Sequence, residues 1–87
     1  MPTILSIDDE PNVSEVRRLL LESEGYEVVE ARTGEEGLRL FQSQKIDLVV
    51  VDYWMAGMNG LAVAREIKKL NSAADFRDPW EFALTHL

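Results

Sequence analysis

The sequence contains no cysteine and a single histidine, His86, among its 87 residues. The absence of cysteine excludes a disulfide framework and a thiolate metal site, and one histidine excludes a histidine-rich metal cluster. Long hydrophobic runs are also missing, because the longest ones, such as Leu48–Val51, fall far short of the roughly 20 residues that cross a bilayer. The N-terminus has no basic segment followed by an apolar stretch, so no secretory signal is predicted.

Basic residues are scarce as well. Nine Lys and Arg stand against sixteen Asp and Glu, which gives a net charge of −7. Non-specific nucleic-acid binding depends on a basic face that releases counterions from the phosphates. The charge therefore argues against direct nucleic-acid binding. Together with the length, it predicts one small acidic domain that resides in the cytoplasm without membrane association.

Short apolar runs alternate with longer helical patterns over the first 70 residues, which is typical of βαβ units and a parallel sheet. The first predicted strand is almost continuously apolar, as expected for a strand that is covered on both faces, and the third is rich in β-branched apolar residues. In chain order, the predicted strands and helices span residues 3–7, 11–24, 26–31, 33–44, 46–51 and 60–70.

Local signals place the ends of these helices. Pro11 suits a first helical turn, and Gly25 is placed to end the first helix. Thr33 and Glu36 have the spacing of a capping box, in which each side chain bonds the other residue's backbone N–H. The apolar residues at helical spacing, which predict the buried stripes, are Val13, Val16, Leu19 and Leu20, then Leu38 and Phe41, then Val63, Ile67 and Leu70.

Residues 71–87 depart from this pattern, so we divide the chain into a core at residues 1–70 and a divergent tail at residues 71–87. Asp78 and Pro79 look like a helix cap and a first helical residue, and Trp80 begins an apolar pattern at helical spacing. A strand over residues 80–85 is the alternative. The tail is therefore predicted to form a short helix or a strand.

Three aspartates follow predicted strands: Asp8 and Asp9 come after the first, and Asp52 comes after the third. In a parallel sheet the carboxyl ends of the strands share one edge, where ligands bind at the point of strand-order reversal. If the strand order is 2-1-3, all three carboxylates converge there. Clustered carboxylates repel one another unless a cation or a proton compensates them, and an all-oxygen site suits Mg²⁺. The alternative is that these are merely solvated strand ends.

The residues around these aspartates resemble the receiver domain of response regulators, the phosphoacceptor module of two-component signalling. The resemblance is carried by residues 4–10, ILSIDDE, and by residues 48–60, LVVVDYWMAGMNG, and it extends over residues 3 to about 70. It implies an α/β, flavodoxin-like fold with parallel strands in the order 2-1-3 and helices on both faces.

The resemblance also implies roles for individual residues. Asp52 would be the phosphoacceptor, and Mg²⁺ would be held by Asp8, Asp9, Asp52 and the backbone carbonyl of Trp54. The phosphoryl group would come from a sensor histidine kinase or a phosphotransfer protein. The chain would then be a phosphoacceptor rather than an enzyme.

Two departures from the family bear on this interpretation. Ala56 stands where the family usually has proline, which restores some backbone freedom to the loop. The family's five βα units are represented by only three here, so the chain looks truncated. Thr85 could supply the switch hydroxyl of the family's fourth strand only if the tail is that strand. With no fourth strand beside it, the third strand would have an exposed apolar edge. We therefore expect this edge to be covered either by the tail or by a second subunit, in a homodimer or higher oligomer.

Three functions are compatible with these observations. The first is a phosphoaccepting signalling domain, favoured by the three aspartates. The second is a receiver-derived oligomerising module that no longer signals by phosphorylation, favoured by the missing strands. The third, a Mg²⁺-dependent phosphohydrolase with Asp52 as nucleophile, is weak because Trp54 stands where a second acid is needed.

Overall fold

The computed structural model describes residues 1–51, 60–71 and 76–77. Strands and helices alternate along the chain, as the sequence predicts. They are β1 (Thr3–Ile7), α1 (Pro11–Ser23), β2 (Glu27–Ala31), α2 (Gly34–Ser43), β3 (Leu48–Val51), α3 (Gly60–Leu70) and β4 (Phe76–Arg77).

The strands form one parallel sheet in the order β2-β1-β3-β4. β1 is the central strand of the predicted trio, since Ile7 is level with Ala31 of β2 on one side and with Val51 of β3 on the other. The predicted order 2-1-3 is therefore confirmed. It follows that the carboxyl ends of β1 and β3 are neighbours.

A fourth strand adds to the three that the sequence predicts. β4 pairs in parallel with β3, with Phe76 level with Val49 and Arg77 level with Val50. The edge of β3 is thus covered by the chain itself at these two positions, which is the first of the two arrangements that the sequence suggested. At these two positions β3 has no open edge that would require an oligomer, and an oligomer stays a prediction.

Apolar side chains fill both sides of the sheet, because successive residues of a strand point to opposite faces. On the face covered by α2 and α3, the buried residues are Leu5, Ile7, Ala31, Val49, Val51, Val63 and Ile67. On the face covered by α1, the buried apolar residues are Ile4, Leu21 and Val50. We refer to these two sides of the sheet as the α2/α3 face and the α1 face.

Both ends of α1 follow from local chemistry. Pro11 occupies the first turn, where its missing N–H costs nothing. The Glu10 side chain caps the helix by accepting a hydrogen bond from the Asn12 N–H at 3.1 Å. At the other end, Gly25 adopts a φ of 93°, a left-handed conformation that glycine tolerates best.

The predicted capping box at the start of α2 is only half correct. Thr33 Oγ1 accepts a hydrogen bond from the Glu36 N–H at 3.1 Å, as expected. Glu36 Oε1, however, accepts its bond from the Arg32 N–H, at 2.7 Å, instead of from Thr33. The glutamate therefore ties down the residue before the cap.

Two of the predicted buried stripes differ from the observed ones. In α1, the apolar set Val13, Val16, Leu19 and Leu20 is exposed, and the helix turns Ser14, Arg17 and Leu21 toward the sheet. In α3, Val63 and Ile67 are fully buried but Leu70 is 52% exposed. Hydrophobic periodicity predicts where a helix lies in the sequence, but it does not determine which side of the helix packs against the sheet.

The predicted tail helix or strand over residues 78–87 lies outside the described residues, and the boundary after residue 70 stays a prediction. None of the helices in the described ranges combines the length and the apolar character needed to cross a membrane.

Candidate functional site

The candidate site lies at the edge of the sheet where β1 and β3 end. Ile7 and Val51 are the last residues of these strands, and they are paired. Asp8 follows Ile7, and Asp52 follows Val51 in the sequence. The structure thus brings together the two strand ends that carry the predicted site residues. Asp52 itself lies outside the described residues, as do Trp54 and Thr85.

Asp8 is a buried carboxylate with a well-defined orientation. Its backbone N–H donates to the Ala31 carbonyl at 3.0 Å, which extends the β1–β2 pairing by one residue. Its side chain is almost completely inaccessible to solvent. One carboxylate oxygen, Oδ1, accepts a hydrogen bond from the Glu10 N–H at 2.9 Å. This local turn is typical of aspartate at the end of a strand.

The second oxygen of Asp8 is paired with an arginine from α1. Arg17 Nη2 lies 3.0 Å from Asp8 Oδ2, and the Arg17 side chain is only 13% exposed. The other terminal nitrogen of this guanidinium, Nη1, donates to Ser6 Oγ at 3.0 Å. Arg17 therefore supplies a positive charge where burial of an unpaired carboxylate would be costly.

Asp9 and Glu10 lie at the surface beside the buried Asp8. Asp9 is exposed, and so is Glu10, whose side chain caps α1. Of the three acidic residues after β1, Asp8 is thus held from within the fold and Asp9 is at the surface. This arrangement gives one buried and one exposed acidic residue at the end of β1.

The donor set at this edge fits a magnesium ion. Mg²⁺ prefers hard oxygen ligands and keeps several water molecules, so one or two carboxylates are sufficient. Each Asp8 oxygen has a second lone pair beyond the hydrogen bond described above. Within residues 1–51, 60–71 and 76–77, no group of three or more acidic or histidine side chains is arranged to hold a metal ion. The third predicted carboxylate, Asp52, lies outside these ranges.

The roles of Arg17 and Ser6 were not predicted from the sequence. A signal for Ser6 is present, since Ser6 and Asp8 are two residues apart in an extended segment and must lie on the same face. For Arg17, the only signal is its spacing of three residues from Ser14 and four from Leu21, the two buried residues of α1. That spacing is a weaker signal than the apolar residues on the other side of α1, which predict the opposite side of the helix to be buried.

Comparison with known families decides the relationship. Residues 4–76 match the response regulator receiver domain. The chain belongs to this family. The match ends at the first residue of β4, so it includes all three βα units and the connection that follows them. The receiver resemblance drawn from the strand-end aspartates is confirmed.

Solved structures of receiver domains agree with the fold described above. The response regulator TrrA of Thermotoga maritima, solved in complex with Mg²⁺-BeF, is 46% identical to this chain with a TM-score of 0.85, over 87% of this chain and 66% of that one. TrrA in complex with the histidine kinase ThkA gives 45% identity and a TM-score of 0.85, over 90% of this chain and 67% of that one.

Curated relatives include much longer proteins. The transcriptional regulatory protein GlrR of Escherichia coli (strain K12) is 43% identical over 67 residues, which are 77% of this chain and 15% of GlrR. AfsQ1 of Streptomyces coelicolor is 36% identical over 69 residues, which are 79% of this chain and 31% of AfsQ1. This receiver domain therefore spans between about a seventh and a third of the length of these two relatives.

Proposed function

We propose that this receiver domain accepts a phosphoryl group on Asp52 in a Mg²⁺-dependent reaction. The observation that carries the proposal is the register of β1 and β3. Because Ile7 and Val51 are paired at the ends of adjacent strands, Asp8, Asp9 and Asp52 all follow the same edge of the sheet. Neighbouring strands lie about 5 Å apart, which is a suitable separation for carboxylates that share one cation.

The transfer is a nucleophilic displacement at phosphorus. One carboxylate oxygen of Asp52 attacks the phosphorus of a phosphohistidine, and a new P–O bond forms as the P–N bond breaks. The histidine nitrogen keeps the electron pair and takes a proton from solvent. The product on this chain is an acyl phosphate at Asp52. Positioning and charge compensation are the main demands of such a transfer.

Asp8, Asp9, Asp52 and the backbone carbonyl of Trp54 are the groups that we propose hold Mg²⁺. When bound, the ion offsets negative charge on the phosphoryl oxygens. Asp8 is oriented for this role by the Glu10 N–H and the Arg17 guanidinium. Asp9 is an exposed residue directly after Asp8. Thr85 could supply a hydroxyl to the phosphoryl group only if it ended the fourth strand, and the described part of that strand is Phe76–Arg77.

The proposed phosphodonor is a sensor histidine kinase or a phosphotransfer protein, within a cytoplasmic two-component pathway. Support comes from the complex of TrrA with the histidine kinase ThkA, since TrrA is 45% identical to this chain there. Within such a pathway the chain acts as a phosphoacceptor and not as an enzyme with its own substrate.

The test is intact-mass analysis of the chain after incubation with acetyl phosphate and Mg²⁺. We expect one phosphoryl adduct on the wild type and none on Asp52→Asn. Asp9→Asn is expected to fold and to lose most of the adduct, because its effect is on the metal. An adduct of equal yield on Asp52→Asn, or one that forms equally with a chelator in place of Mg²⁺, would contradict the proposal.

A further inference from the structure

The Arg17 guanidinium bridges two residues on one face of β1. It donates to Ser6 Oγ and pairs with Asp8 Oδ2, each at 3.0 Å. Ser6 and Asp8 are both buried, and Arg17 is largely so. Since a guanidinium is planar and holds its donors in a fixed geometry, two contacts at this distance define its position closely.

Asp8 is the buried carboxylate of the described residues, and Arg17 is the cation paired with it. Asp8 is also one of the groups proposed to hold Mg²⁺. The same carboxylate thus has two prospective positive partners, one built into α1 and one from solution.

We propose that Arg17 is an internal counter-ion of Asp8 that lowers the affinity of this site for Mg²⁺. The inference rests on the proposed function, because it takes Asp8 as a ligand of the ion. Arg17 is a positioning residue in this scheme. It neutralises and orients Asp8 before the metal binds, and it repels a divalent ion that approaches the same carboxylate.

The coupling must act in both directions. If Arg17 weakens Mg²⁺ binding by some factor, Mg²⁺ weakens the Arg17–Asp8 pair by the same factor. The benefit to the domain is a folded state that does not depend on the metal, because Asp8 is never buried without a cation. Arg17 therefore stabilises the metal-free domain and, at the same time, lowers its affinity for Mg²⁺.

The experiment is a calorimetric titration of the chain with Mg²⁺, comparing wild type, Arg17→Gln and Arg18→Gln. Glutamine removes the charge and keeps a hydrogen-bond donor. Arg18 is the matched control, since it is the next residue of α1 and its ion pairs are with Glu15, Glu22 and Glu30. We expect Arg17→Gln to bind Mg²⁺ about tenfold more tightly, within the usual range of coupling between two binding events.

Thermal unfolding separates this role from a purely structural one. Without Mg²⁺, we expect Arg17→Gln to have a lower unfolding midpoint than wild type. Saturating Mg²⁺ should raise the midpoint of Arg17→Gln by more than it raises that of wild type. Arg18→Gln should match wild type in both respects. A lower midpoint with unchanged Mg²⁺ affinity would mean that Arg17 only anchors α1 to β1, and it would overturn the inference. Weaker Mg²⁺ binding by Arg17→Gln would overturn it too.

A second measurement needs no variant at Arg17. In wild type labelled with ¹⁵N-arginine, addition of Mg²⁺ should shift the side-chain NMR signal of Arg17 and leave that of Arg18 in place. An unmoved Arg17 signal at saturating Mg²⁺ contradicts the coupling. If neither wild type nor Arg17→Gln binds Mg²⁺, the proposed function fails as well. If both bind it equally and Asp9→Asn does not, only this inference fails.

Discussion

The two faces of the sheet differ in what they bury. On the α2/α3 face, every buried residue of the core cluster is apolar, and partly buried side chains such as Leu38 and Phe41 pack around it. The α1 face buries a smaller apolar cluster together with Ser6, Asp8 and Ser14. Arg17 reaches into this second face to pair with Asp8.

This difference separates stability from chemistry within a small domain. Apolar burial of about 25 cal/mol per Å² stabilises the fold, and the α2/α3 face supplies more of it. The α1 face buries fewer apolar residues, and it holds one carboxylate in a defined position at the end of β1. Substitutions on the two faces should therefore have different consequences.

The largest effect is expected from Ile67→Ala on the α2/α3 face. Ile67 is fully buried, so its truncation leaves a cavity and should lower the free energy of unfolding by about 2–5 kcal/mol. Leu70→Ala, one turn further along α3 at a 52% exposed position, should cost well under half as much. Urea unfolding of both variants gives the two losses in free energy of unfolding. Equal losses would mean that Ile67 does not contribute more to stability than the exposed Leu70.

Gly37→Ala should also destabilise the domain, by about 1–3 kcal/mol. A glycine-to-alanine change within a helix normally stabilises by about 1 kcal/mol. Here a Cβ on Gly37 would lie 2.9 Å from Cγ1 of the buried Ile7, so α2 could not approach β1 as closely. The exposed Gln42→Ala on the same helix is the control for propensity. A gain in stability for Gly37→Ala would refute the close contact.

A smaller effect is expected at the start of α2. Thr33→Ala removes the acceptor of the Glu36 N–H and should cost about 1 kcal/mol. Thr33→Ser keeps a hydroxyl there and should recover most of that loss. Chemical denaturation of the two variants gives the difference, and identical curves for serine and alanine would show that the hydroxyl does not cap the helix.

The smallest effect is expected on the outer side of α1. Leu20 is 63% exposed, so Leu20→Gln should change the free energy of unfolding by less than about 0.5 kcal/mol. Unfolding should be followed at two widely different protein concentrations. A large loss that depends on concentration would mean that a second copy covers this side of α1.

The alternation of strands and helices was predictable because apolar runs and helical periodicity are local signals. β1 and α3 lie where the sequence predicts them, and β2 and β3 begin one or two residues later than predicted, at Glu27 and Leu48. The inward face of α1 was not predictable in this way. Its exposed side is more apolar than its buried side, and only the partners Ser6 and Asp8 on β1 explain why Arg17 faces inward.

For the site, the sequence predicted the aspartates from the strand ends and the receiver resemblance, and the register of β1 with β3 supports their convergence. The Arg17–Asp8 pair escaped prediction because it joins residues on two different elements, and its existence depends on how α1 is rotated over the sheet. β4 escaped prediction for a related reason. A strand of two residues carries too little pattern to be recognised before its pairing with Val49 and Val50 is known.

The most direct test of the central claim is to locate the phosphoryl group on the chain. After incubation with acetyl phosphate and Mg²⁺, borohydride reduction of the acyl phosphate followed by peptide mass spectrometry marks the modified residue. We predict that the reduced residue is Asp52 and that it is absent when Mg²⁺ is chelated. Modification at any other carboxylate, or none in a chain shown to be folded and to bind Mg²⁺, would contradict the account.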